Sequence, residues 1–328
     1  MKDILEKLIK KENLTAFESE TIMNQMMEGT CSAAQTAGFL IALAMKGESI
    51  EEIAALARAM RAHAVQIHPN IRPLIDTCGT GGDCSNTFNI STTAAFIAAG
   101  AGVAIAKHGN RAVSGKCGSA DVLEQLGVKM LSPERTEKCI EKIGIGFMFA
   151  PLFHPAMKNV APIRRELGVR TVFNILGPLT NPADANAQVL GVYDPNLTET
   201  IAEVLRILGT ERALVVHSEG MDEIGLGKTK ISELKNKIVR TYYIEALDFG
   251  ITKQDIPIVN FKEESAAVLL DVLKGVKGAA YDIALMNAAA VIYVGNKSES
   301  IAHGLRLARA SVETGAAMEK LNALRKFE

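Results

Sequence analysis

Four short stretches carry side chains whose types and spacing could do chemistry. Gly79-Thr-Gly-Gly82-Asp83 follows the apolar Leu74-Ile75, with Asp76 at its near end and Asp83 at its far end. Glycine lets backbone N–H groups approach an anion closely and permits positive φ, so the loop suits phosphate. A tight turn with no ligand is the plainer alternative. No Gly-Lys-Ser/Thr follows, and the spacing is not Gly-x-Gly-x-x-Gly. An acid beside phosphate repels it unless a cation or hydroxyl lies between. Asp83 therefore suits loop or ligand donors, and Asp76 suits the end of a strand that braces the loop.

Asn89-Ile-Ser91-Thr92, two residues after Thr87, opens an alanine-rich segment whose first amides lack helical partners; Ser91 reads either as an N-cap or as part of an anion site. Lys107-His108-Gly109-Asn110-Arg111 follows the apolar run "VAIA". Lys107 and Arg111 could neutralise phosphate, and Asn110 and His108 could hydrogen-bond a polar substrate. His108 on its own would be a satisfied core or surface ring; here it reads as site lining rather than proton transfer. "AVSGKCGSAD" extends this loop with two more glycines and Ser119 ahead of another helix. Asp222-Glu223 supplies adjacent carboxylates of the kind a hard, water-keeping cation takes, or else a solvated acidic turn. No His/Cys set has zinc spacing, and no Gly-x-Ser-x-Gly or Cys/His nucleophile pattern occurs.

The elements that must position these residues fall into two textures. Residues 1–66 read as helices, with capping boxes at Thr15/Glu18, Ser32/Gln35 and Ser49/Glu52. "HPNIRP" (68–73) reads as a linker. From Leu74, short strands and helices alternate: "PLID", "VAIAKHG", "VKML", "IGFMFAP", "QVLGVYD" and "RALVVHS" as strands, with helices between them, then a mostly helical tail from about Glu264. This predicts an α/β fold: a small helical N-terminal lobe (1–66) and a large α/β lobe (74–328) with a central mostly parallel or mixed sheet and C-terminal helices. Residues 154–184 interrupt the rhythm, and part of them is expected to pack onto the helical lobe, leaving a cleft between lobes. Both the glycine loop and the Lys107 loop then lie at the carboxyl edge of the sheet. Three phosphate-friendly loops, two cations and paired carboxylates fit a phosphorylated sugar bearing pyrophosphate.

The totals agree with a globular chain and exclude several classes. The 328 residues are 48% hydrophobic and 22% charged with a net charge of -1, so bulk charge gives no nucleic-acid or membrane surface. Five cysteines, none in a Cys-x-x-Cys pair, read as free thiols in a reducing compartment. The start reads as an amphipathic helix rather than a signal peptide, and no apolar run reaches the ~18 residues of a membrane span. A cytoplasmic location is expected.

The blocks "GTGGD", "NTFNIST", "KHGNRAVSGKCGSADVLEQLG", "HPAMKNVAPIRRELGVRTVFNILGPLTNPA" and "GMDE" resemble, in order and over nearly the whole chain, the anthranilate phosphoribosyltransferase family, which shares its fold with the nucleoside phosphorylases. The resemblance implies transfer of the phosphoribosyl group of 5-phosphoribosyl 1-pyrophosphate (PRPP) to the amine of anthranilate, in tryptophan biosynthesis. It implies a homodimer formed through the helical lobe and Mg²⁺, about two ions per site. It assigns Gly79, Gly82, Asp83, Thr87, Asn89, Ser91, Thr92, Lys107 and Ser119 to PRPP, with Gly109 and Arg111 in the same loop. Ser91, Asp222 and Glu223 would hold magnesium. Gly79, Asn110 and Arg164 would contact anthranilate, with His108 and Pro178 lining its channel; Arg165 competes with Arg164. No general base is assigned. Cys84 stands where the family often has glycine. The rival readings are a pyrimidine nucleoside phosphorylase and a non-catalytic nucleic-acid-binding member.

Overall fold

The computed structural model describes residues 1–81, 86–112 and 117–327. The chain begins with helices α1 (Lys2–Ile9), α2 (Ala16–Glu28), α3 (Ala33–Lys46) and α4 (Ile50–Ala62). Each of α2, α3 and α4 opens with the expected capping box. The third box does more than cap. Glu52 is fully buried and accepts from Ser49 N at 2.7 Å, from Leu14 N at 2.8 Å and from Lys46 Nζ at 2.8 Å. Lys46 also reaches Gly47 O and Asn13 Oδ1. A buried ion pair is tolerated when its remaining donors and acceptors are met in this way.

The α/β part follows as β1 (Leu74–Gly79), α5 (Ile90–Gly100), β2 (Ala104–Gly109), α6 (Ser119–Gln125), α7 (Pro133–Ile143), β3 (Ile145–Phe149), α8 (Ala150–Phe153), α9 (Ala161–Leu167), α10 (Phe173–Leu176), β4 (Ala187–Gly191), α11 (Leu197–Ile207) and β5 (Arg212–Ser218). Then come β6 (Lys228–Lys235), β7 (Ile238–Glu245), α12 (Lys262–Leu273), α13 (Ala279–Val294), α14 (Ile301–Glu313) and α15 (Ala316–Lys326). The strands form one mixed sheet in the order β3-β2-β1-β4-β5-β6-β7. β1 to β5 run parallel, and β6 and β7 add an antiparallel hairpin.

Alternation along β5 shows how the sheet is covered. Leu214 and Val216 join the apolar cluster built with α5 and α13, while Ala213 and Val215 join the cluster containing α4, α11, Val160 and Phe173. Successive residues of a strand face opposite sides, so both faces need apolar cover. α13 meets that need from one side with buried residues all around it. On the other side the N-terminal helices share their core with α11 and with the 160–179 segment.

Two details differ from expectation. "VKML" forms no strand; Val128 and Leu131 follow the left-handed Gly127 and plug into the α5 cluster from a loop. Burial, not pairing, explains their apolar character. The β6–β7 hairpin carried no legible signal. Its two-residue turn, Asn236-Lys237, has φ of +53° and +62°, the left-handed pair that usually selects Asn-Gly. Lysine at the second position hides it.

Candidate active site

Strand order reverses between β1 and β4, since β2 and β3 lie to one side and β5 to the other. Ligands of open α/β sheets bind at the carboxyl ends of strands at such a switch point. The two strands end side by side, with Gly79 opposite Gly191. The Asp222 turn after β5 crosses this point. A side chain on Gly79 would overlap the Asp222 carboxylate, and one on Gly191 would overlap its backbone carbonyl. Absence of a Cβ at these two positions is what lets an acid enter the crevice.

Once there, the acids bind backbone N–H groups. Asp222 Oδ2 accepts from Gly81 N at 2.8 Å, and Glu223 Oε1 accepts from Ser91 N at 3.1 Å. Ser91 is the second residue of α5, which begins at Ile90, so it is not the N-cap. Its hydroxyl instead accepts from Lys107 Nζ at 3.2 Å. Lys107 is buried, also donates to Thr77 O at 2.5 Å, and has its basicity lowered by burial against the pull of Asp76, Glu223 and Asp222. Glu223, Ser91 and Lys107, remote in sequence, thus form one hydrogen-bonded group at the switch point, beside Asp222 on Gly81 N. Gly82 and Asp83, with Cys84, lie outside the described residues.

Asn89 links the start of α5 to the loop before α6. Its Nδ2 donates to Cys117 O at 3.2 Å, and Thr92 Oγ1 donates to its Oδ1 at 3.3 Å. Thr87 bridges Ile258. Gly109 ends β2 against Ser119 and Phe147, where a side chain would clash. Ser119 Oγ donates to Asn110 O at 3.4 Å, and the exposed Asn110 folds its Oδ1 onto Arg111 N. The Arg111 guanidinium is engaged by Glu124 at 2.5 Å and stacked 4.8 Å from the Phe149 ring centroid.

Asp76 braces the floor of the site. It is fully buried, accepting from His108 N at 3.2 Å and from Asn181 Nδ2 at 2.8 Å. Burial raises its carboxyl to about 6, with Lys107 opposing. Above it sit two imidazoles, His108 and His154, with centroids 5.0 Å apart. Burial lowers His108 to about 3, helped by His154, and lowers His154 to about 4. Both are therefore neutral at pH 7. Each ring has a backbone carbonyl neighbour, Gly177 for His108 and Thr180 for His154, while both Nε2 atoms are buried with no protein partner. A buried polar atom without a partner is costly, and a neutral ring that donates from Nδ1 offers Nε2 as an acceptor.

Pro178 is buried between these carbonyls, its own carbonyl accepting from Gln188 Nε2 at 2.7 Å. Arg164 is half-buried, 5.1 Å from the Phe173 ring centroid and with its basicity lowered by burial, while Arg165 is exposed. His154 was not singled out from the sequence. Its signal is the following Pro155, which fixes the chain beside β3, and that reads as a turn before it reads as a site. The four described cysteines are free thiols, and no described helix is long and apolar enough to cross a membrane.

A helical bundle joined to an α/β unit, with an acid-bearing crevice at its switch point, agrees with the two-domain glycosyl transferase family that the chain matches. Residues 2–64 match the helical bundle domain of a glycosyl transferase family and residues 71–318 its a/b domain. The chain is 50% identical to the anthranilate phosphoribosyltransferase of Alkaliphilus metalliredigens, over 100% of this chain and 98% of the relative. It is 51% identical to that of Nitrosomonas europaea, over 99% and 97%. The crystal structure of the Thermus thermophilus enzyme superposes with a TM-score of 0.94 at 45% identity, covering 99% of both chains. That of the Saccharomyces cerevisiae enzyme in complex with PRPP and Mg superposes at 0.89 and 28% identity, covering 98% and 96%. The chain belongs to the anthranilate phosphoribosyltransferases.

Proposed function

We propose that the protein joins anthranilate to PRPP, giving N-(5-phosphoribosyl)anthranilate and pyrophosphate in the route to tryptophan. The observation that carries this reading is the Lys107–Ser91–Glu223 group beside Asp222 and the glycine loop at the switch point. Lys107, the glycine-loop amides and the start of α5 receive the diphosphate. The donors offered by Asp222, Glu223 and Ser91 are all oxygens, with no histidine or thiolate among them, which fits magnesium. When bound, magnesium supplies charge neutralisation to the departing pyrophosphate, with about two ions per site on the family resemblance.

The remaining work is positioning. An aniline nitrogen is neutral near pH 7 and needs placement opposite the leaving group more than deprotonation. The neutral rings of His108 and His154 are too weakly basic to act as strong general bases. Arg164 supplies a cation for the carboxylate. Charge that builds on the ribose is balanced as pyrophosphate departs toward Lys107 and the amides.

Val160, Val172, Phe173, Ile175, Leu176 and Leu179 share an apolar cluster with the N-terminal helices, which supports part of 154–184 packing onto residues 1–66; the same cluster continues into β4, β5 and α11 of the α/β lobe at 74–328. Exposed Ile9, Phe17 and Met45 on α1 to α3 support a homodimer through the helical lobe. The decisive assay follows loss of anthranilate fluorescence, with PRPP or magnesium omitted in turn. Consumption that continues without PRPP, or release of free base from uridine and phosphate, would overturn the reading.

A further inference from the structure

Tyr193 lies two residues beyond the end of β4, where three parts of the chain meet. Its backbone N–H donates to Thr80 Oγ1 at 3.1 Å, and Thr80 N donates to Gly191 O at 2.9 Å. Thr80 stands between Gly79 and Gly81, so these two bonds clip the glycine loop to the exit of β4. The Arg170 guanidinium lies 4.3 Å from the centroid of the half-buried Tyr193 ring, within the range of a cation–π contact. Arg170 belongs to the connection between α9 and α10. Burial, and then the charge of Glu48 in the turn between α3 and α4, raise the phenol, while Arg170 opposes.

We propose that Arg170 and Tyr193 are positioning residues for the pyrophosphate cradle. The inference rests on the function proposed above for its substrate, though not for its geometry. A side-chain hydroxyl can hold a loop only if its partner is itself fixed. The partner here is a backbone N–H in a turn, and the stacked ring anchors that turn. Losing the ring or its lid frees Thr80 and, with it, the amides of residues 79–81. Neither residue needs to touch the reacting atoms. Because the ring carries Arg170 of the α9–α10 connection, the same stack ties the order of the loop to the placement of that connection.

The test uses full-length protein carrying Arg170→Ala, Arg170→Lys, Tyr193→Ala or Tyr193→Phe. Arg170→Ala is expected to raise the KM for PRPP about two- to fivefold, with Tyr193→Ala larger and the anthranilate KM unchanged. Tyr193→Phe keeps the face and restores the wild-type KM; Arg170→Lys, lacking the planar guanidinium, restores it only in part. Amide hydrogen exchange in a peptide covering residues 79–81 is expected to quicken in both alanine variants. Unaltered exchange there, or KM values rising in parallel for both substrates, would overturn the proposal. If Tyr193→Ala fails to fold, Arg170→Ala decides by the same two readouts. Lack of PRPP turnover by the unmodified protein would refute the proposed function, while the exchange measurement would still judge the clip.

Discussion

Acidification tests whether the two imidazoles are buried and neutral. His108 and His154 sit at about 3 and about 4 in the folded chain, below the ordinary histidine value near 6.5. Groups depressed in this way contribute stability that is fully present above the unfolded value and is lost as pH falls from there toward the folded values. At pH 5 the unfolded chain has protonated both rings and the folded chain neither, so each ring costs about 2 kcal/mol relative to pH 8. Asp76, raised to about 6, acts the other way. Its stabilising term is fully present below the unfolded carboxylate value and is lost as pH rises through 6, which returns about 1 kcal/mol at pH 5. The three together predict a net loss of about 3 kcal/mol between pH 8 and pH 5. Replacing His154 with glutamine removes one ring from the balance and should cut that loss by about 2 kcal/mol, whatever the variant's stability at pH 8. Urea titrations at pH 8, 6.5 and 5 read it by circular dichroism, because the chain has no tryptophan. Equal pH dependence in wild type and His154→Gln would refute the burial argument and with it the two free Nε2 acceptors.

Three further outcomes follow from the geometry. Asp222→Asn with Glu223→Gln should lower turnover at least about a hundredfold and flatten its magnesium dependence; an unchanged rate at saturating magnesium would remove these acids from the site. Arg164→Ala should raise the anthranilate KM at least about tenfold while leaving that for PRPP in place, and the exposed Arg165→Ala should change neither. Gly191→Ala places a methyl on the Asp222 carbonyl, so it should cost about 3 kcal/mol of stability and displace the acidic turn; calorimetry showing an unchanged Tm would mean the turn moves freely.

Much of this was legible in the sequence because the informative residues are local. Capping boxes need only four residues, and all three appear where Thr15, Ser32 and Ser49 put them. "RALVVHS" maps onto β5 because alternation over seven residues leaves little freedom. Asp76 as a brace was readable only in part: it sits mid-strand in β1, which runs on to Gly79, and it holds His108 N and Asn181 rather than the glycine loop. The hairpin was not readable, because Lys237 adopts a left-handed conformation that glycine or asparagine normally announces. Nor were the partners that meet only after folding. Nothing near Ser91 indicates that its amide will serve Glu223 and its hydroxyl Lys107. Arg111 reads as a phosphate cation by its neighbours along the chain, yet its guanidinium is held by Glu124, a turn away on α6.

The acids flanking the glycine loop make sense once the charges around Lys107 are considered together. One buried ammonium faces Asp76, Asp222 and Glu223, all of which pull its proton on more tightly. With Asp76 near 6, its carboxyl is mostly ionised at neutral pH, and Asp222 and Glu223 add two further acidic groups beside Lys107. A diphosphate entering this crevice meets more negative than positive charge, and low-dielectric surroundings magnify the repulsion. The amides of the loop and of α5 offset part of it, but two of them, Gly81 N and Ser91 N, already serve the carboxylates. The anion and these acids therefore compete for the same donors unless a cation draws the carboxylates toward itself. Glycine at 79 and 191 admits the acid, and Asp222 and Glu223 would hold a divalent cation that supplies positive charge beside the anion, leaving Gly81 N and Ser91 N available to it. On this account the carboxylates couple diphosphate binding to metal binding, which a glycine loop alone would not do.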